Sequence, residues 1–375
     1  MAGIYIHIPY CKQACTYCDF FFSTNLSTKN NFIESLLQEI KLRANFFEGQ
    51  EIETVYFGGG TPSLLSANEI AQILKAIDES FSAKKVREIT LEANPENLTQ
   101  SYLQELKNVG INRLSIGLQS FKADELKEMN RSHNVSQNFE VIKFAKEIGF
   151  KNISVDLIYG TPWSSENEWE QFLNEVIKLD VQHISCYQLT VEDKTVLAHQ
   201  IRTKKTKPLD DELTERQFFS LIDLLAKAGF EHYEISNFAK PGFLSQHNSN
   251  YWRNVPYLGL GPSAHSYSGV QRFSNLASIH SYISRVNSKE SWFEVENLSE
   301  KDSYNDSVLT GLRSKFGVDL VAIEKKLGQS FGNYFQRKAQ PYLESGKIIK
   351  SGYTYCLDEK AFLFADKISA DLFYI

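Results

Sequence analysis

Six times over the first 230 residues, a short apolar run is followed by a longer amphipathic segment, and this alternation constrains the fold more than any other feature. It predicts strands at Gly3–Ile8, Glu53–Phe57, Val86–Ala93, Arg113–Leu118, Ile153–Ile158 and His183–Leu189. Helices are predicted between and after them, near 29–47, 67–80, 99–108, 136–149, 166–179 and 211–229. In the first helix Phe32, Leu36, Leu37, Ile40 and Ala44 share one face, as a core-facing helix requires. Six βα units in series imply an α/β fold with a parallel sheet and right-handed crossovers. Period alone does not separate an open sheet from a partial barrel. In both, chemistry belongs at the carboxyl ends of the strands.

The pattern stops near residue 235, so the first unit is read as 1–235. Residues 236–299, rich in Gly, Pro, Asn and aromatics at their start, read as an irregular linker. Residues 300–375 show a third pattern, with helices near 303–315, 319–327 and 331–344 and short strands at 347–351, 353–357 and 361–364. Gly352 marks a tight hairpin connection there. This reads as a mainly helical, winged-helix-like module. Such modules can bind DNA, but a formal charge of -6 gives no concentrated basic face, so no nucleic acid is expected. The run Arg202-Thr-Lys-Lys-Thr-Lys207 is read as a solvated loop. No leader or membrane span is apparent, and a cytoplasmic location is expected.

Five cysteines in a long chain without an export signal make a disulfide framework unexpected. Cys186 and Cys356 read as small buried hydrophobes. Cys11-x3-Cys15-x2-Cys18 instead crowds three thiols onto the loop after the first strand. A [4Fe–4S] cube usually takes four protein thiolates, so three leave one iron open to a ligand. Structural zinc would need a closed set of four, with His7 or Asp19 added, and no second Cys or His couple is present. The cluster is the better reading.

Tyr5-Ile-His-Ile-Pro9 followed by these cysteines resembles the signature of the radical SAM superfamily, in the form shared by coproporphyrinogen dehydrogenases and their relatives. The resemblance implies a partial (β/α)6 barrel in which the open iron binds S-adenosylmethionine through its methionine moiety. Motifs at the other strand ends match in order. Phe57-Gly-Gly-Gly-Thr-Pro62 lacks the spacing of a phosphate loop, but Gly59, Gly60 and Thr61 match the turn that meets the methionine amino group. The resemblance also places Tyr5, Glu92 (ribose), Gln119, Arg131 (a carboxylate) and Asp156 in the S-adenosylmethionine site. For Arg131, taken alone, the residues favour an exposed ion pair on a helix; its planar fork also suits a carboxylate.

Two features separate branches of the superfamily. Oxygen-independent coproporphyrinogen dehydrogenases carry a fourth cysteine two residues past the third, where this chain has Phe20. Cys18-Asp-Phe20 is instead similar to the haem chaperones of the HemW type. His247-Asn-Ser-Asn-Tyr-Trp252 likewise resembles the H-N-x-x-Y-W motif of that group. On a helix His247 and Tyr251 would share a face. The resemblance makes His247 a candidate haem ligand, with Tyr251 and Trp252 offering flat apolar surface. His265 is a second candidate. The implied cofactors are a [4Fe–4S] cluster, S-adenosylmethionine and haem; the implied partners are recipient haemoproteins of the respiratory chain, with peripheral membrane association. The alternative is radical decarboxylation of coproporphyrinogen III.

Overall fold

The computed structural model of the chain describes residues 2–81 and 83–375. Six parallel strands form its centre: β1 (Ala2–Ile8), β2 (Ile52–Gly59), β3 (Glu88–Ala93), β4 (Arg113–Gln119), β5 (Ile153–Tyr159) and β6 (His183–Gln188). They lie side by side in chain order. Right-handed crossovers between sequential neighbours put every helix on one face, so the other face must curl on itself. Between them run α1 (Lys29–Leu42), α2 (Ala67–Ser80), α3 (Gln100–Asn108), α4 (Ala123–Glu128), α5 (Val135–Ile148) and α6 (Glu166–Lys178); α7 (Val196–Arg202) and α8 (Asp211–Lys227) follow β6. Capping boxes at Ser66, Asn134 and Ser165 start α2, α5 and α6.

Strand alternation sorts the side chains. Ile4, Ile6, Ile8, Val55, Phe57, Leu91, Leu114, Ile116 and Leu118 face the helices and are buried with Phe32, Leu36, Ile70 and Ile73. The opposite residues, Thr54, Tyr56, Thr90, Glu92, Arg113, Ser115, Ser154, Asp156 and His183, face the lumen. The barrel thus has an apolar wall and a polar interior. That polarity had no signal in apolar periodicity.

The barrel is partial because β1 and β6 each take a different neighbour. Here the linker expected over 236–299 is corrected: most of it is regular structure joined to the barrel sheet. Beside β6, β7 (Glu231–Glu234) and β8 (Asn237–Ala239) form an antiparallel pair. Then come α9 (Gln246–Trp252), β9 (Tyr257–Leu260), β10 (His265–Tyr267), β11 (Gln271–Asn275), α10 (Ile279–Ser288) and β12 (Phe293–Asn297). β9 pairs in parallel with β1, and β10 to β12 continue antiparallel, giving a twelve-stranded sheet. The three- to five-residue strands are too short to show a period of two.

A buried carboxylate locks this extension to the barrel. Glu39 of α1 accepts from Tyr282 Oη (2.5 Å), Gly261 N (2.7 Å), Trp292 Nε1 (2.8 Å) and Asn275 Nδ2 (2.9 Å). Four donors satisfy a charge that burial would otherwise make costly.

The C-terminal region holds α11 (Glu300–Leu312), β13 (Val318–Asp319), α12 (Leu320–Leu327), α13 (Gln329–Glu344), β14 (Ile348–Ser351), β15 (Thr354–Leu357) and α14 (Ala365–Leu372). Gly352, at φ +61°, opens the two-residue turn between β14 and β15. The strand expected at 361–364 is instead part of a 3-10 helix, Glu359–Phe364, entered through Asp358, whose side chain accepts from Lys360 N. A four-residue apolar run cannot by itself distinguish the two. This region docks on β7 and on the carboxyl end of α9, where Arg253 stacks on Phe316 at 3.9 Å and Asn254 donates to Thr310 at 2.9 Å.

Candidate functional site

At the carboxyl ends of the strands lies a cavity of about 410 Å³, within the usual range for small-molecule sites. Cys11, Cys15 and Cys18 line one side; Gly59, Gly60, Thr61, Glu92, Gln119, Arg131 and Asp156 line the rest. Seven of the eight residues predicted for S-adenosylmethionine therefore meet in one place. The eighth, Tyr5, lies in the lumen, where its ring stacks on Tyr56 and its hydroxyl donates to His7 Nδ1 at 3.2 Å. Asn94, Ser115 and Tyr187 also line the cavity. Counting in twos from Glu92, Gly117 and Ser185 along their strands would have found them.

The cysteine loop is braced from several sides. Thr16 N donates to Met129 O (3.1 Å), Leu197 N to Thr16 O (2.8 Å), and Asn130 Nδ2 to Ala14 O (2.7 Å). Thr61 Oγ1 donates to Cys11 Sγ and Arg131 Nη1 to Cys15 Sγ, each at 3.4 Å. Burial pushes the Cys11 thiol up and that of Cys18 to about 11, so these thiols hold their protons until a metal takes their place. Among the described residues no three His, Cys, Asp or Glu side chains converge on a single ion.

Arg131 sits in the loop after α4 and not on a helix, and it is held by its neighbours. Its Nη2 donates to Asn94 Oδ1 (2.8 Å) and Gly117 O (3.1 Å), while Nε has no partner among the described residues. Gln119 Oε1 is likewise buried without a partner. Its residue adopts φ +57° at the β-bulge between β4 and β5. A Cβ on Gly117 would lie 2.6 Å from Gln119 Nε2, so a side chain there would push the Gln119 amide aside.

Glu92 accepts from Tyr56 Oη (2.7 Å) and Gly59 N (3.2 Å), leaving acceptor capacity toward the cavity. Burial pushes its carboxyl up to about 7. Asp156, raised mainly by burial, accepts from Ser115 Oγ at 3.1 Å. The glycines have a more local reason than ligand approach: a Cβ on Gly59 would meet the His7 ring at 2.7 Å, and one on Gly60 would meet Tyr10 O at 2.7 Å.

The haem candidates His247, Tyr251 and Trp252 are not in this cavity. α9 lies under the amino ends of β1, β2 and β3, where Glu88 accepts from Gln246 N and His247 N, both at 2.9 Å. His247 is 1% exposed and stacks on Tyr56. Both its ring nitrogens are taken, Nδ1 by Thr54 Oγ1 and Nε2 by Tyr251 Oη, each at 2.8 Å. An imidazole with neither nitrogen free cannot bind iron as it stands; here it plugs the barrel floor. Trp252 lies under Arg313 of the C-terminal region. His265 is exposed on β10, with Nδ1 on Ser274 Oγ at 3.0 Å.

A six-strand partial barrel with three cysteines above its carboxyl ends defines the class of radical SAM proteins. The family model described as Radical SAM superfamily matches residues 5–176, and that of the HemN C-terminal domain matches 298–364. Heme chaperone HemW of Lactococcus lactis is 32% identical over 97% of this chain and 95% of its own. That of Bacillus subtilis is 32% identical over 98% of each, and that of Escherichia coli K12 is 37% identical over 70% of this chain and 69% of its own. The structure of coproporphyrinogen III oxidase (HemN) from Escherichia coli superposes with a TM-score of 0.85 over 99% of this chain and 89% of that one. At 24% identity it shares the fold. The chain belongs to the HemW family of the radical SAM superfamily.

Superfamily membership implies a [4Fe–4S] cluster and S-adenosylmethionine, and the residues fit both. The three thiols and a cation are in place for a cluster. Gln119, Arg131 and Glu92 line the space a ligand would fill, and the Glu92 carboxylate keeps acceptor capacity beyond its two bonds.

Proposed function

We propose that this chain is a haem chaperone that holds a [4Fe–4S] cluster on Cys11, Cys15 and Cys18, binds S-adenosylmethionine and haem, and hands haem to respiratory haemoproteins. The observation that carries this is the match, over nearly the whole chain, to relatives named heme chaperones. Phe20 supports it. Where a fourth cysteine would mark the decarboxylases, this side chain is 70% exposed at the rim of the cluster cavity, with Phe22 beside it. Together they offer apolar surface to a flat ligand.

In this reading Gly59, Gly60 and Thr61 receive the methionine moiety, Glu92 the ribose, and Arg131 a carboxylate, with Gln119 and Asp156 completing the pocket. His265 is the axial haem ligand. Its Nδ1 bond to Ser274 fixes the ring and leaves Nε2 for iron. Capture by His247 would require α9 to leave the barrel floor. The chaperone works in the cytoplasm at the membrane face, and no described helix is long and apolar enough to cross a membrane.

The test is an anaerobic haem titration of cluster-reconstituted protein, followed at the Soret band, with His265→Ala and His247→Gln beside the parent. Saturable binding that weakens in His265→Ala is expected. Unchanged binding in that variant would remove His265, and no binding by the parent would remove the function.

A further inference from the structure

Among the described residues that line the cavity, Arg131 is the one Lys or Arg, set beside the acids Asp19, Glu92 and Asp156. Yet no described carboxylate forms an ion pair with it. Its Nη2 rests on two neutral oxygens, Asn94 Oδ1 and Gly117 O. Its Nη1 is committed to a thiol, donating to Cys15 Sγ at 3.4 Å. The cysteines are therefore not equivalent, because Cys11 accepts at the same distance from a neutral hydroxyl, that of Thr61.

The guanidinium stands there because its loop is laced to the cysteine loop. Gln13 Nε2 donates to Asn130 O (2.9 Å) and to Asn130 Oδ1 (2.6 Å), and Asn130 Nδ2 donates back to Ala14 O (2.7 Å). Thr16 adds two bonds, from N to Met129 O (3.1 Å) and from Oγ1 to Glu128 O (3.0 Å). Asn130 takes φ +55°, a left-handed conformation that asparagine tolerates better than most residues. Met129 before it is fully buried and anchors the turn. Five hydrogen bonds thus hold residues 128–130 against residues 13–16, and Arg131 follows directly.

A thiolate on a cluster iron becomes more negative when the cluster gains an electron. A charged N–H donor on that sulfur stabilises the reduced form more than the oxidised one. Hydrogen bonds to the sulfurs and local charge are among the factors that set such a potential. We propose that Arg131, donating to the Cys15 sulfur, raises the reduction potential of the cluster and so sets how readily the protein accepts an electron. This rests on the cluster reading of Cys11, Cys15 and Cys18. It is separate from the carboxylate role given to the same side chain, and it is read with no S-adenosylmethionine present.

The experiment is redox potentiometry of the cluster-reconstituted full chain, for the parent, Arg131→Met, Arg131→Gln and Arg131→Lys. Dithionite supplies the single electron that the cluster gains, and the paramagnetic resonance signal of the reduced cluster is the readout. Iron and sulfide per chain are measured on each sample. Loss of a unit charge beside the sulfur should make reduction at least about tenfold harder in Arg131→Met and Arg131→Gln, a fall of about 59 mV for a one-electron couple. Arg131→Lys keeps the charge without the planar fork, and its midpoint should fall between those of the parent and Arg131→Met. An unmoved midpoint in the two neutral variants overturns the proposal. So does an Arg131→Lys value equal to that of Arg131→Met, which would trace the effect to packing and not to charge. If neither neutral variant takes up iron, Arg131 serves cluster assembly and the tuning role is overturned. If the parent itself forms no [4Fe–4S] cluster, it is the cluster reading that falls.

Discussion

Replacing His247 by alanine tests whether this residue is a floor plug or a free ligand. The change leaves Thr54 Oγ1 and Tyr251 Oη stranded in a buried site, each having lost a 2.8 Å partner. Such a loss costs about 1–3 kcal/mol per group. The vacated space beside Tyr56 adds a cavity term, so a total near ~4 kcal/mol is expected at pH 7.5. The pH dependence sharpens the test. Burial first, and the Arg113 charge second, lower the His247 pKa to about 3. The unfolded chain takes up that proton below about 6.5 and the native protein does not. The contribution of neutral His247 is therefore complete above pH 6.5 and drains by about 1.4 kcal/mol per pH unit as pH falls toward 3. The parent-minus-variant gap should shrink from about 4 kcal/mol at pH 7.5 to about 2.5 kcal/mol at pH 5.5. Urea unfolding of cluster-free protein, followed by far-ultraviolet circular dichroism at both pH values, measures it. A variant as stable as the parent, with no pH-dependent gap, would refute the buried plug and return His247 to the list of haem ligands.

Three further outcomes follow from single residues. Glu39→Gln turns an amide donor toward four converging donors, so unfolding should cost about 2–3 kcal/mol less, and Trp292 fluorescence should report the loosened contact. Gly60→Ala drives a Cβ into the backbone oxygens of Tyr10 and Ile8, shifting the cysteine loop; iron and sulfide per chain after reconstitution should fall while the helical signal holds. Burial raises Glu234 to about 7, so the native state keeps a proton that the unfolded chain releases above about 4.3. Its contribution is present below that value and is lost as pH rises to 7, so the stability gap between parent and Glu234→Gln should fall over that window in a urea series.

The barrel was legible because its signals are local. Each strand and helix is long enough to show its own period, and the cysteines and strand-end motifs fall one per βα unit. The extension was not, since β9 to β12 are short and are held by Glu39, whose four partners lie more than 220 residues away in sequence. The sequence read Arg131 as a helix residue, but it lies in the loop at the cavity wall, because α4 has only six residues and ends at Glu128. His247 shows the limit most clearly. The i, i+4 pairing with Tyr251 could be read from spacing, and α9 delivers it. Which face of the barrel the helix covers depends on Glu88, Thr54 and Gly3, and no pattern within the motif encodes them.

The most direct test of the chaperone account is hand-over. Cluster-reconstituted protein would be loaded with haem under anaerobic conditions and mixed with an apo-cytochrome, and the Soret shift followed against loss of haem to an unrelated scavenger. The account predicts saturable loading, and transfer to the apo-cytochrome that outpaces loss to the scavenger. Haem that is not retained, or that leaves at the same rate to either acceptor, would contradict it.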